Sequence, residues 1–295
     1  MGKPDSEKRS KNSLFRLPIK GLFEGIGRFL DKCDFREVTI MNRIVIDSEK
    51  CIGCGLCVKD CPGFHLHMDN QKAKAAESGC IECGHCYAIC PMNAVTMTGY
   101  DCKEEPVTSM TEFDSDKFLP ALKSRRTIRQ FLAQDVEEEK ISKILEAGRY
   151  CPTAANAQSV AFTILGSKQE EAERICVGLF RKGKKLGSPF ITYLKNIDIP
   201  DDFFFKGAPV VIVVSDKSNI NAGLASSYME LMAYNLGLGV LYSGFFVACT
   251  KLSRKLRKLL QLPKGHKVVS CMVIGYPDVK YQRVAPRKDA QIKRL

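Results

Sequence analysis

The 295-residue chain carries neither of the common nucleotide-phosphate signatures. Gly237-Leu238-Gly239 lacks the third glycine of a strand–GxGxxG–helix unit, and G-x-x-x-x-G-K-[ST] does not occur. Both absences argue against a dedicated Rossmann domain or a P-loop. Histidine is scarce, at four residues, and His65, His67 and His266 form no metal-ligand pattern. No zinc-finger, RNP-like or basic-zipper pattern accompanies the basic residues, so nucleic acid is not the expected partner. No secretory signal with a small-residue cleavage site is expected. One stretch, 231–250, runs twenty residues without a charge, long enough to span a bilayer. Asn235, Ser243 and glycines 237, 239 and 244 interrupt it, so a buried helix running into a glycine-rich loop is expected, not an integral membrane span.

What is present is a globular composition, 45% hydrophobic and 26% charged, in a chain long enough for two domains. The net charge of +12 is uneven. Lys and Arg outnumber Asp and Glu nine to six in residues 1–42, fall behind five to seven in 43–102, and lead 31 to 20 in 103–295. An acidic middle and a basic C-terminal part favour docking between the two, and an anionic ligand on the second.

Eight of the fourteen cysteines fall in two copies of one pattern. Cys51, Cys54, Cys57 and Cys61 precede Pro62; 29 residues later Cys80, Cys83, Cys86 and Cys90 precede Pro91. The spacing C-x₂-C-x₂-C-x₃-C-P resembles the ligand run of bacterial-type ferredoxins, in which the fourth cysteine serves the other cluster. Crossed ligation follows: Cys51, Cys54, Cys57 and Cys90 for one [4Fe–4S] cluster, and Cys80, Cys83, Cys86 and Cys61 for the second. Two Cys₄ zinc sites are the bland alternative, but they use cysteine pairs and need no third and fourth thiol followed by proline. Disulfides conflict with the reduced thiols that clusters require. A reducing, cytoplasmic and anaerobic setting is expected. His85 lies inside a cluster loop, where it could tune a cluster by hydrogen bonding. Cys151, Cys176, Cys249 and Cys271 sit among apolar neighbours and read as small core residues. Cys33 and Cys102 flank the module without an assigned role.

Four segments are expected. Residues 1–42 form an extension, with apolar positions Phe15, Ile19, Leu22, Ile26, Phe29 and Leu30 on one helical face. Residues 43–102 form the two-cluster module, with strands near 43–46 and 94–97. Residues 103–118 are a linker, and 119–295 form an α+β domain. In that domain helices are expected at 118–123, after Asp135 and at 252–260, and strands at 161–165, 209–215 and 268–274. Residues 183–206 read as a variable region, with Arg181, Lys182, Lys184 and Lys185 on a solvated loop.

The last domain resembles the nitroreductase family of FMN flavoproteins in four ordered segments. These are Arg125-Arg126-Thr127-Ile128-Arg129-Gln130-Phe131, Cys151-Pro152-Thr153-Ala154-Ala155-Asn156-Ala157-Gln158, Leu236-Gly237-Leu238-Gly239 leading to Tyr242-Ser243-Gly244, and Leu262-Pro263 through Gly275-Tyr276-Pro277 to Pro286-Arg287-Lys288. The resemblance implies an FMN-binding α+β fold and a homodimer with FMN at its interface. It places Arg125, Thr127, Arg287 and Lys288 on the phosphate, with Arg126 and Arg129 nearby. Arginine forks suit that dianion on chemical grounds as well. It sets Pro152, Thr153, Ala154 and Asn156 against the partner's flavin, and Ser243 and Gly244 at the flavin's reactive edge. Thr127 in place of the usual Ser, and Tyr242 where many members have Trp, are departures that keep the chemistry. Tyr228 and Tyr242 either line the substrate pocket or pack.

The combination resembles ferredoxin–nitroreductase fusions. It implies electrons passing through two clusters to FMN, then to nitroaromatic, quinone or similar electron-poor acceptors, with ferredoxin or NAD(P)H as donor. No catalytic acid or base is compelled. The alternative is an electron-transfer or redox-sensing flavoprotein without small-molecule turnover.

Overall fold

The computed structural model describes residues 43–77, 79–100, 102, 105, 107, 114–187 and 197–295. The expected helix at 15–30, Cys33 and most of the 103–118 linker lie outside them. The chain divides into two compact units after Tyr100.

The first unit holds two hairpin-like pairs. Strand β1 (Ile44–Ile46) pairs antiparallel with β4 (Val95–Met97), joining the start of the unit's described residues to their end. Strands β2 (Leu66–Asp69) and β3 (Lys72–Ala75) turn through Asn70 and Gln71, both at positive φ, as a tight hairpin requires. This second hairpin was not legible in the sequence. Each cysteine run starts a short helix in its middle: α1 (Leu56–Lys59) after Gly55, and α2 (His85–Ile89) after Gly84. Gly55 and Gly84 share a left-handed conformation, φ 72° and 75°, so the duplication extends to the backbone.

The second unit is a four-stranded antiparallel sheet in the order β5 (Ala161–Ile164), β6 (Val210–Asp216), β8 (Lys267–Gly275), β7 (Gly239–Tyr242). Strand β6 is buried along its whole length, which accounts for its unbroken apolar run. Its side chains alternate between two cores. Val211 and Val213 face α5 (Gln169–Gly187), α7 (Gly244–Leu252) and α8 (Arg254–Leu260). Val210, Ile212 and Val214 face α4 (Glu138–Arg149) and α6 (Asn219–Asn235). The result is helices on both faces of one sheet, with each buried Val or Ile worth roughly 1.5–3 kcal/mol.

Helix α3 (Ser115–Ser124) opens this unit, capped by the Asp114 carboxylate accepting from the N–H groups of Asp116 and Lys117. The uncharged stretch becomes the end of α6, a turn, β7 and the start of α7. Among the described residues no helix is long and apolar enough to cross a membrane. Gly237, at φ 79°, ends α6, while Leu238 N–H bonds back to Ala233 O at 2.9 Å. The reading of Arg181–Lys185 as loop is corrected: these residues are the last turns of α5, whose Ala172, Cys176 and Val177 are buried. Gly178 and Gly183 masked that helix in the sequence, and packing against α7 and α8 overrides their low propensity.

Candidate functional site

In the first unit the cysteines gather around two cavities. One, about 360 Å³ with its mouth included, is lined by Cys51, Cys54, Cys57 and Cys90. The other, about 350 Å³, is lined by Cys61, Cys80, Cys83 and Cys86. Each cavity thus draws three thiols from one run and one from the other. Apolar residues complete the walls, with Ile46, Ala73 and Val95 in the first and Ile44, Ile81 and Leu66 in the second.

Backbone donors aim at the sulfurs. His65 N–H reaches Cys61 Sγ, Glu82 N–H reaches Cys80 Sγ and Ala94 N–H reaches Cys90 Sγ, each at 3.3 Å. Such bonds hold negative charge on sulfur without a counter-ion. Backbone bonds from Ala73 and Gly53, helped by Lys72, hold the Cys51 thiol below its ordinary pKa. Burial instead raises Cys57 and Cys80, and pushes Cys86 up to about 11. Gly53 is dictated by sterics: at φ +71°, an added Cβ would lie 2.0 Å from Gln71 O on the β2–β3 hairpin. Among the described residues, no three His, Cys, Asp or Glu converge to hold a single metal ion. Four thiols line each cavity, which matches in number and kind a cluster bound by one thiolate per iron. His85 Nδ1 meets Asp60 Oδ2 at 3.2 Å.

In the second unit, residues 125–131 run along the free edge of β7. Thr127 bridges Val240 in parallel, and Ile128 N–H bonds Val240 O at 3.0 Å. Gly239 makes this approach feasible, because a Cβ there would sit 2.4 Å from Ile128 Cγ1. The segment after β8 returns beside it: Phe131 bridges Pro277, Asp278 N–H bonds Gln130 O, and the Tyr281 hydroxyl donates to Thr127 O at 3.4 Å. A cavity of about 780 Å³, open to solvent, lies here between Arg125, Arg126, Glu230, Tyr234, Lys280 and Tyr281. The Arg125 guanidinium pairs with Glu230 of α6, and the Tyr242 hydroxyl donates to Ser226 O at 2.8 Å and to Glu230 at 3.3 Å. Burial and the Glu230 charge push Tyr242 above its ordinary pKa. Tyr242 is therefore an anchoring residue.

The remaining candidates lie elsewhere. Residues 152–156 precede β5, at the opposite edge of the sheet. Ala155 and Asn156 have positive φ, as does Gln158 two residues on, and Ala154 N–H is held by Asn221 Oδ1 at 3.2 Å. Asn221 and Glu230 lie nine residues apart on α6, roughly 14 Å along a helix. Ser243 and Gly244 start α7, with Ser243 N–H bonded to Cys271 O at 2.8 Å. An added Cβ on Gly244 would touch nothing in the chain within 4 Å. The chain's own packing thus does not require glycine there, whereas a flat ligand laid on the helix start would. Arg287 and Lys288 are in the extended C-terminal segment, and neither lines the cavity beside Arg125.

Sequence reasoning passed over Glu230 and Asn221, the two α6 residues that fix these segments. The available signal was a lone carboxylate at the brink of an uncharged run. Cys151, Cys176, Cys249 and Cys271 are buried in the core, as expected for small apolar residues.

Two cavities of four thiols each in the first unit, and a helix-covered antiparallel sheet with an arginine-bearing edge in the second, define a two-unit protein with a cysteine-rich module ahead of an α+β domain. Residues 43–91 match the 4Fe-4S dicluster domain model, and residues 122–276 match the Nitroreductase family model. The chain belongs to the nitroreductase family, with a 4Fe-4S dicluster domain ahead of the family's own, and is an oxidoreductase. It is 27% identical, over 54% of its length, to 76% of a candidate NADH dehydrogenase/NAD(P)H nitroreductase of Methanothermobacter thermautotrophicus. It is 38% identical, over 20% of its length, to 57% of a ferredoxin of Pyrobaculum islandicum. A solved nitroreductase with bound FMN from Bacteroides fragilis aligns with TM-score 0.48 and 22% identity, covering 59% of this chain and 98% of that one.

Proposed function

We propose that this chain draws electrons through two [4Fe–4S] clusters onto FMN and delivers them to a nitroaromatic, quinone or similarly electron-poor acceptor. Cys51, Cys54, Cys57 and Cys90 hold one cluster, and Cys80, Cys83, Cys86 and Cys61 the other. The carrying observation is the pair of four-cysteine cavities on the same polypeptide as a nitroreductase-family domain. When bound, the clusters supply one-electron carriers and the flavin supplies the conversion to two-electron reduction.

The chain's own residues bind and orient. Arg125, Arg126, Thr127 and Arg129, with Arg287 and Lys288 from the C-terminal segment, hold the flavin phosphate by charge-assisted bonds. Glu230 keeps the Arg125 fork aimed along the β7 edge. Ser243 and Gly244 meet the ring through backbone groups. Residues 152–156, with Pro152, Thr153, Ala154 and Asn156, sit at the far sheet edge, so they serve the flavin held by a second copy. Helix α6 supports such a homodimer. It buries Ala225 and Met229 inward while Ile220, Leu224 and Tyr228 stand 74%, 39% and 42% exposed on the other face. The archaeal relative's name makes NAD(P)H one candidate donor, and the cysteine module makes a separate ferredoxin the other.

Anaerobic purification with iron, sulfide and FMN counts tests the reading, with about eight irons and one flavin expected per chain. Steady-state reduction of a nitroaromatic or quinone should follow with one donor type. A fully loaded protein that turns over neither acceptor would be an electron carrier.

A further inference from the structure

The two cysteine cavities share a fold but not a charge environment. At the cavity of Cys51, Cys54, Cys57 and Cys90, the Lys72 ammonium donates to the main-chain oxygen of Cys51. Lys72 opens strand β3, next to Ala73, which itself lines that cavity. The ammonium is thus part-buried and held on the backbone of a thiol residue. Lys50, by contrast, is 62% exposed and 3.9 Å from Asp47, where solvent screens it.

At the cavity of Cys61, Cys80, Cys83 and Cys86, the carboxylates nearby in sequence, Glu82 and Asp60, are already paired with other side chains. Glu82 stands between Cys80 and Cys83; Arg43 at 3.2 Å neutralises it, and the Tyr100 hydroxyl donates to it at 2.6 Å. Asp60 immediately precedes Cys61 and meets His85.

Reduction adds one electron, and so one negative charge, to a cluster, with no bond made or broken. A fixed cation outside bulk water stabilises that added charge, whereas a carboxylate already paired with a cation nearly cancels. We propose that the two clusters differ in potential, the one held by Cys51, Cys54, Cys57 and Cys90 being easier to reduce, and that Lys72 sets the difference. The inference rests on the two-cluster reading above. It gives the module a direction, since an electron entering at the harder-to-reduce cluster runs downhill to the one beside Lys72.

The test is an anaerobic redox titration of the holoprotein, with reduced clusters followed by electron paramagnetic resonance. An iron and sulfide count near eight each establishes the two-cluster reading first, so its failure is seen separately. The intact protein should reduce in two cluster steps. Lys72→Gln keeps a donor for the Cys51 oxygen but removes the charge. It should move only the upper step to more negative potential, by about a tenfold change in the oxidised-to-reduced ratio, or about 59 mV. Lys72→Arg should restore it. Glu82→Gln should move only the lower step, to more positive potential. A single step for both clusters, an upper step unmoved by Lys72→Gln, or equal movement of both steps would overturn the proposal.

Discussion

Glu230 on helix α6 holds Arg125 at the edge of strand β7, and the Tyr242 hydroxyl closes the same carboxylate from the other side. Three elements therefore converge on one side chain that the sheet's apolar pattern does not announce. The pair is mostly withdrawn from water, with side-chain exposures of 26% and 12%. Removing one member strands the other's charge. Glu230→Ala is expected to cost about 3 kcal/mol in urea unfolding. The Arg125→Ala, Glu230→Ala double variant should be less than additive, because the stranded charge is gone.

Gly239 and Ile128 make a second test of that edge. A Cβ at Gly239 would lie 2.4 Å from Ile128 Cγ1. Gly239→Ala should destabilise the protein by about 1–3 kcal/mol through overpacking. Ile128→Ala in the same chain should recover part of the loss. Thermal unfolding of the four proteins in the cycle decides it.

Gly244 should behave in the opposite way. Nothing in the chain lies within 4 Å of its added Cβ. Gly244→Ala is therefore expected to leave apoprotein stability within about 0.5 kcal/mol of the parent. FMN retention, measured by fluorescence titration, should fall at least tenfold. Unchanged flavin affinity would remove Gly244 from the flavin site.

The Gly53 turn links the first cysteine run to the β2–β3 hairpin. Any side chain there meets Gln71 O and is strained by φ +71°. Gly53→Ala should displace the loop of Cys51 and Cys54 and lower the reconstituted iron content toward about four per chain, one cluster's complement.

Burial pushes Glu173 of α5 up to about 7. One of its oxygens accepts from Phe204 N–H at 2.7 Å, and the other has no partner among the described residues. The folded chain thus binds a proton that the unfolded chain, titrating near 4.5, has released. Stability should fall as pH rises from about 4.5 to 7 and then level off, by an amount on the order of 3 kcal/mol. Glu173→Gln, which mimics the protonated acid, should flatten that slope in unfolding measured at pH 6 and pH 8.

Much of the architecture could be read directly. The strands around 209–215 and 268–274 and the helix after Asp135 were legible because each buries a run or stripe of apolar residues. The β2–β3 hairpin was not, since Leu66–Asp69 and Lys72–Ala75 are short and half polar, and they gain stability by packing against the cysteine loops. Helix α5 was hidden by its two glycines and basic end.

By itself the amino-acid order determined the duplication of the thiol runs and the α+β class of the second unit, because spacing and periodicity are local properties of a chain. Tertiary structure alone decided that Glu230 answers Arg125, that Gly239 admits Ile128, and that Lys72 comes to rest on Cys51. Those pairs are 105, 111 and 21 residues apart. Only the folding of one strand or helix against another brings such distant groups within reach, and no local pattern encodes that.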